Sequence, residues 1–349
     1  MSSTDIDAPE STLLRHLVGE RLGPYNSFNP VSRTQIWQWC SAMGDRSPLY
    51  LDEHYQAQTE FSGRGAVAPP AMMQMWTMRD VNDEYAPGST AAHPYQVMQK
   101  LEQLGFPANV AVSYDISFHR YLEEGDRVHH YKTVVDISDL KTTAVGEGHF
   151  FTDRMEYLDQ NGELFAEALI SYFQYRPADS DVNVAASGKT AAATSVPVGA
   201  AGVDEWQPDY SNLRPGQVSE GDVLPELVVP ITHKLIVAGA IATQDFVIVH
   251  HNTAAAQAAS MPDIFMNILT TCGLSARYLG DWAGPGSRLR KLKFRLMAAN
   301  TPGDSMTLQG RVTGMKLIGD DALATVEFAG VNSLGPHVLG SATMSLARD

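Results

Sequence analysis

The chain has 349 residues, 44% of them hydrophobic and 19% charged, enough to bury large cores and long enough to favour two domains over one. Forty acidic against 25 basic residues give a formal charge of −15, which repels nucleic acid and anionic lipid surfaces. Any anionic ligand must then be met by a local basic patch.

The opening stretch "MSSTDIDAPESTLLRHLVGERLG" lacks a basic segment followed by an apolar one, so no secretory signal is expected and the cytoplasm is the expected compartment. No apolar run reaches the roughly eighteen residues of a membrane span. Cys40 and Cys272 sit in apolar, helix-like surroundings and read as buried thiols rather than a disulfide framework. "SAMGDRSPLYLDEHYQAQ" predicts a short helix running into a loop at Asp45. "PPAMMQMWTMRDV" predicts a long apolar helix, with Pro69 and Pro70 at its start and Met72, Met73, Met75 and Met78 as core filler. The long segment "DVNDEYAPGSTAAHPYQVMQKLEQLGFPANV" follows, with a short helix expected at "YQVMQKLEQL". "VSYDISFHRYLEEGDRV" reads as a strand closing on the turn Gly125-Asp126, and "YKTVVDIS", "AVGEGHFFTDRMEYLD" and "LFAEALISYFQY" read as further strands.

Arg176 to Glu205, "RPADSDVNVAASGKTAAATSVPVGAAGVDE", has no aromatic residue and few charges. It reads as an interdomain linker, a long surface loop being the alternative. Residues 1–178, 179–204 and 205–349 are thus expected to be a first domain, a linker and a second domain.

The second flank repeats the first in order, as a duplicated unit would. "IATQDFVIVHHNTAAAQAA" again leads from a helix into an Asp loop. Phe265, Ile268, Leu269, Cys272 and Ala276 keep helical spacing through "DIFMNILTTCGLSARYL". "LRKLKFRLMAANTPGDSM" is a strand closing on Gly303-Asp304, and "MTLQGRVTGMKL", "ALATVEFAGVN" and "VLGSATMSL" complete the set. One long helix with several consecutive strands per half gives an α+β class, each half an antiparallel sheet wrapped around its helix. The two sheets are expected to join, because a lone sheet leaves an edge unpaired.

These motifs resemble the two hot-dog domains of a MaoC-type, or hydratase-2-type, enoyl-CoA hydratase, whose signature is roughly Gly-Asp-x-Asn-Pro-[Ile/Leu/Val]-His. The second half keeps the Asp-to-His spacing as Asp245 and His250, with Gln244, Val247 and Ile248 in place of Gly, Asn and Pro. The first half fits at Gly44-Asp45, Pro48 and Leu49 but has Ser47 for Asn and Tyr50 for His. "DFVIVHHN", "DIFMNILTTCGL" and "DWAGP" look like the small catalytic subunit of the bacterial steroid side-chain enoyl-CoA hydratases, and the first half like the hot-dog part of their large subunit. The chain then looks like a fusion of the two. The resemblance implies a tandem, pseudo-dimeric double hot dog with a working second half and a retired first half. It also implies a homodimer of such double hot dogs, an acyl-CoA substrate with no cofactor beyond its own coenzyme A, and no nucleic acid or membrane partner.

The chemistry agrees with this residue choice. Hydrating a trans-2-enoyl thioester needs a water made nucleophilic toward C3 and a proton at C2, which Asp245 and His250 gripping one water supply. Val247-Ile248-Val249 between them is expected to hold the distance and keep the pocket dry. Backbone N–H groups at the start of the second helix, at Asn267 where the family has Gly, are the expected oxyanion donors, with the Asn side chain beside the acyl group. His251 is expected to be structural or solvent-facing. A metal site at the His-His pair lacks further ligands at the right spacing. Arg288, Arg290, Lys291 and Lys293 lie on a strand whose Leu292, Phe294 and Leu296 alternate with the charges. That strand is either a cradle for coenzyme A phosphates or a solubilising face. Tyr50 is either a packing residue or a proton-transfer partner, and the long first-half segment is either a wall opened for a bulky acyl group or a surface loop. The competing readings of the whole chain are a hot-dog thioesterase and a non-catalytic acyl-CoA-binding protein.

Overall fold

The computed structural model describes residues 14–143, 145–177, 206–259 and 261–348; the expected linker, 179–204, lies outside them. The first half contributes β1 (Arg21–Asn26), β2 (Ala108–Phe118), β3 (His129–Ile137), β4 (Lys141–Thr143), β5 (Gly146–Leu158) and β6 (Leu164–Pro177). The second contributes β7 (Val223–Ile231), β8 (Arg288–Leu296), β9 (Asp304–Ile318), β10 (Asp321–Asn332) and β11 (Gly335–Ser345). All eleven lie in one sheet, ordered β1-β3-β5-β6-β2-β8-β11-β10-β9-β7, with β4 on β5. The halves join where β2 pairs antiparallel with β8, Ile116 opposite Leu292 and Tyr114 opposite Phe294. The turn glycines Gly125 and Gly303 have φ of 97° and 93°, the left-handed region that makes glycine the residue for these corners. Both cysteines are buried free thiols, and no helix among the described residues is long and apolar enough to cross a membrane.

Four helices matter for the site: α1 (Arg33–Met43), α2 (Gln96–Gln103), α3 (His233–Thr243) and α4 (Ile268–Ala283). The central helix α4 buries Leu269, Cys272, Leu274, Tyr278, Leu279 and Ala283. Its other side takes α1 and α3 at close range. A Cβ on Gly273 would meet Met43 Sδ and Trp39 Cζ2 at 2.9 Å, and one on Gly239 would meet Thr270 Oγ1 at 2.3 Å. A larger residue at either glycine forces these neighbouring side chains to shift.

The first half departs from expectation. "PPAMMQMWTMRDV" forms two single 3₁₀ turns, Pro70–Met72 and Met75–Thr77, and not a long helix. Side-chain chemistry explains the break. The Tyr114 hydroxyl donates to Gln74 Oε1 and Thr77 Oγ1 bonds His130 Nδ1 at 2.8 Å, turning both polar residues inward. Asp80 then takes the N–H groups of Asn82 and Glu84, an Asx turn that competes with a helical ladder. The expected short helix at "YQVMQKLEQL" is α2.

Candidate active site

The Asp loops of both halves are built by the same local device. Ser32 and Thr232 cap α1 and α3 by accepting from Gln35 N and Leu235 N. Each helix ends on a left-handed residue, Gly44 at φ 67° and Gln244 at φ 54°, and the next residue, Asp45 or Asp245, returns its N–H to Cys40 O or Ala240 O. This fixes each carboxylate just beyond a helix end.

In the second half a 3₁₀ turn, Ile248–His250, brings His250 back over Asp245. His250 Nδ1 lies 2.7 Å from the Phe265 carbonyl, which can only accept, so Nδ1 donates and Nε2 faces Asp245 Oδ2 at 3.7 Å. That separation is too long for a hydrogen bond and suits one water held by both groups. The Phe265 ring backs the imidazole edge-on at 5.1 Å. Both side chains are almost fully buried, at 13% and 9% exposure. The intervening apolar residues do not keep the pocket dry: Val247 and Ile248 are 49% and 53% exposed and point away. The Phe265 ring covers the imidazole instead. His251 is exposed, and among the described residues no three His, Cys, Asp or Glu side chains converge as metal ligands.

Asn267 stands at the start of α4, but its side chain does not lie open beside a substrate. Its Oδ1 caps the helix by accepting from Thr270 N at 2.7 Å, and its Nδ2 donates to Thr243 Oγ1 at 2.9 Å. The side chain therefore ties the α4 N-terminus to the end of α3, two residues before Asp245.

Arg288 is not free for a phosphate. It is buried and forked onto Glu60 at 2.6 and 2.9 Å, with Phe61 and Tyr121 beneath it, and so cross-links the halves. Lys291 and Lys293 do alternate with the buried Leu292 and Phe294 and stand on the sheet face away from the core, where Lys293 pairs with Asp115 at 3.0 Å. Arg290 sits where the β8–β11 register slips.

The first-half site is closed. Asp45, Tyr50, Pro70 and Ala71 enclose a cavity of about 20 Å³ with Arg277 and Asp281, room for about one water. Arg277 donates to Met43 O at 2.9 Å and to Asp281 at 3.1 Å, so α4 fills the space a substrate would need. Burial holds the Tyr50 phenol well above its usual range, which removes it as a base. Burial, with the Asp45 charge added, also holds the Asp281 carboxyl up at about 7 against the pull of Arg277. The folded chain thus keeps a proton that the unfolded chain gives up near pH 4. The stability from this proton is full at low pH and is lost as pH climbs from about 4 to about 7. Asp281→Asn is expected to gain on the order of 2 kcal/mol more, relative to the parent, at pH 8 than at pH 5. Denaturant melts at the two pH values read this, and an equal gain at both would place the titration elsewhere.

The model of the FAS1-like dehydratase domain region matches residues 16–168. The chain is 41% identical over 126 residues to the 3-oxo-4,17-pregnadiene-20-carboxyl-CoA hydratase beta subunit of Mycobacterium tuberculosis, covering 95% of that protein and 36% of this one. The chain belongs to the MaoC-like hot-dog hydratases. It is also 37% identical over 165 residues, 47% of its length, to a probable enoyl-CoA hydratase alpha subunit of Thermomonospora curvata. It spans about half the length of that alpha subunit, 51%, and nearly all of the beta subunit. Among solved structures a MaoC-like dehydratase superposes with a TM-score of 0.68 at 20% identity, over 96% of this chain and all of the other. The Rv0216 protein of M. tuberculosis, described as a double hot-dog fold, gives 0.61 at 15% identity over 94% of this chain and 96% of its own. Both share the fold.

Proposed function

We propose that the chain is a cytoplasmic enoyl-CoA hydratase that adds water across the trans-2 double bond of a bulky enoyl-CoA, a steroid side-chain thioester being the favoured case, to give the 3-hydroxyacyl-CoA. One observation carries the reading: His250, its Nδ1 spent on a carbonyl, holds Nε2 3.7 Å from Asp245 in a nearly sealed loop. Nε2 takes a proton from the water as its oxygen bonds C3, while Asp245 orients that water. The C2=C3 electron pair takes up a proton at C2, returned by the imidazolium. Negative charge that builds on the thioester oxygen is met by N–H groups of the first turn of α4. Domains at 1–178 and 205–349, the second catalytic, fit the repeated Asp loops and the closed first site. The open edges β1 and β7 support a homodimer of double hot dogs. The 3₁₀ turns and long segment that replace a first-half helix support room for a bulky acyl group.

The test mixes the full chain with crotonyl-CoA and with a bulky alicyclic enoyl-CoA. Loss of enoyl absorbance, greater for the bulky substrate, is the expected result. Release of free thiol would make the chain a thioesterase, and binding with neither change would make it an acyl-CoA-binding protein. With Arg288 committed inside, Arg290 and Lys291 are the cations left for coenzyme A phosphates. Arg290→Glu with Lys291→Glu is expected to raise KM about tenfold, far more than it lowers kcat, because phosphate contacts hold substrate and transition state alike. An unchanged KM would make the basic strand a solubilising face.

A further inference from the structure

One peptide unit stands behind the imidazole of His250. The Phe265 carbonyl accepts from His250 Nδ1 at 2.7 Å. The N–H of the same peptide, on Met266, donates to Asn300 O at 3.0 Å. A peptide is planar, so its C=O and N–H cannot turn independently. Whatever fixes Asn300 O therefore also fixes the acceptor that sets the His250 tautomer.

Asn300 lies in the loop 297–303, which joins β8 to β9, and it is fully buried. Its surroundings suit an amide poorly. Nδ2 finds only the sulfurs of Met306 at 3.3 Å and Met266 at 3.8 Å, both weak acceptors. The one strong bond of this side chain is at Oδ1, which accepts from Asn332 Nδ2 at 2.8 Å. Asn332, at the end of β10, also donates to Ala299 O at 2.9 Å, and its Oδ1 accepts from Leu334 N at 2.9 Å. It thus clamps two successive loop residues to the turn between β10 and β11. His337 on β11 holds the Ala298 carbonyl through Nδ1 at 2.7 Å, a second tie on the loop that needs neither amide.

An apolar residue between two methionines would cost less to bury than this amide, so packing alone gives no reason for it. What the amide does is lock one loop residue, and the carbonyl of that residue is the one that meets Met266. We propose that Asn300 and Asn332 are positioning residues for His250, acting through the Phe265–Met266 peptide. The inference rests on the hydratase reading for the task that His250 performs. Once Nε2 has taken the proton of the water, the bond from Nδ1 to Phe265 O is charge-assisted and stronger than before. A peptide free to tilt loses most in that state, so the effect falls on kcat and not on KM.

The test places Asn300→Leu and Asn332→Leu in the full chain beside Gln174→Leu. Gln174 is a similarly buried amide of the first half, bonded to Met98 O and Phe106 O at 2.9 Å, and controls for general loosening. One readout is the nitrogen NMR spectrum of neutral His250, assigned by its loss in His250→Ala. Another is hydrogen exchange at the Met266 N–H. The parent is expected to show a protonated Nδ1, a bare Nε2 and a protected Met266 amide. Both asparagine variants are expected to mix the tautomers and expose that amide. They are also expected to lower kcat for a bulky enoyl-CoA about tenfold, with KM changed by less than about twofold. Gln174→Leu is expected to lower the melting temperature and to leave tautomer, exchange and kcat alone. Should one asparagine variant fail to fold, the other and the parent spectrum still decide. A parent protonated at Nε2, a tautomer and exchange rate unchanged in the folded variant, or an equal change in Gln174→Leu overturns the proposal. If the variants shift the tautomer but the parent hydrates no enoyl-CoA, the positioning stands and the hydratase reading falls. If the parent hydrates and the tautomer stays fixed in the variants, the reverse holds.

Discussion

Asp245→Asn is expected to lower kcat for a bulky enoyl-CoA by about 100- to 10,000-fold, because the water loses the carboxylate that holds it in line for the His250 base. The amide keeps the size of the carboxylate and its place beyond α3, so the melting temperature is expected to stay close to the parent's. His250→Ala is expected to fall in the same range, because the water then loses the Nε2 that takes its proton. The double variant is expected to be little worse than either single one, since both side chains act on the same water. Asp45→Asn and Tyr50→Phe are expected to leave turnover within a few-fold. Their cavity, lined by Arg277 and Asp281, has room for only about one water. Steady-state rates on the four single variants decide the matter. Turnover that survives Asp245→Asn and collapses in Asp45→Asn would move the reaction to the first half.

Much of this was legible in the residues. The Asp loops could be found because each follows a capped helix and sits at the same place in an ordered repeat, and the strand ends could be found from Gly125-Asp126 and Gly303-Asp304. The 16 residues of α4 show a helical period because Leu269, Cys272 and Ala276 fall on one face of that helix. The same logic failed at Pro69–Val81. Its methionines and prolines look like a buried helix, and only the sheet reveals that Gln74 and Thr77 have partners on β2 and β3. Arg288 reads as one of a basic row because alternation along β8 is a local signal. The register slip beside Arg290 and the approach of Glu60 from the other half are not local. Asn267 shows a third kind of limit: its position was legible, but its two bonds depend on where α3 ends. The Lys132–Asp153 pair left no pattern at all, because only the register of β3 on β5 makes the two residues neighbours.

That buried pair carries the second large effect. Lys132→Met is expected to destabilise the protein by about 3–5 kcal/mol, since it leaves Asp153 as an uncompensated charge in a sealed interior. Burial already pushes the Lys132 amine down and the Asp153 carboxyl up, each held charged by the other. The variant is expected to recover part of the loss at low pH, where Asp153 takes a proton. Lys132→Met with Asp153→Leu is expected to return to within about 1–2 kcal/mol of the parent, because removing both charges also removes the cost of desolvating them. The remaining deficit is assigned to Pro94 O, which loses its donor in both variants. Urea denaturation of the three proteins at neutral pH checks these values, and a cost below about 1 kcal/mol for Lys132→Met would mean that water reaches the pair. Coulomb attraction alone gives no reason to keep such a pair where apolar side chains would serve.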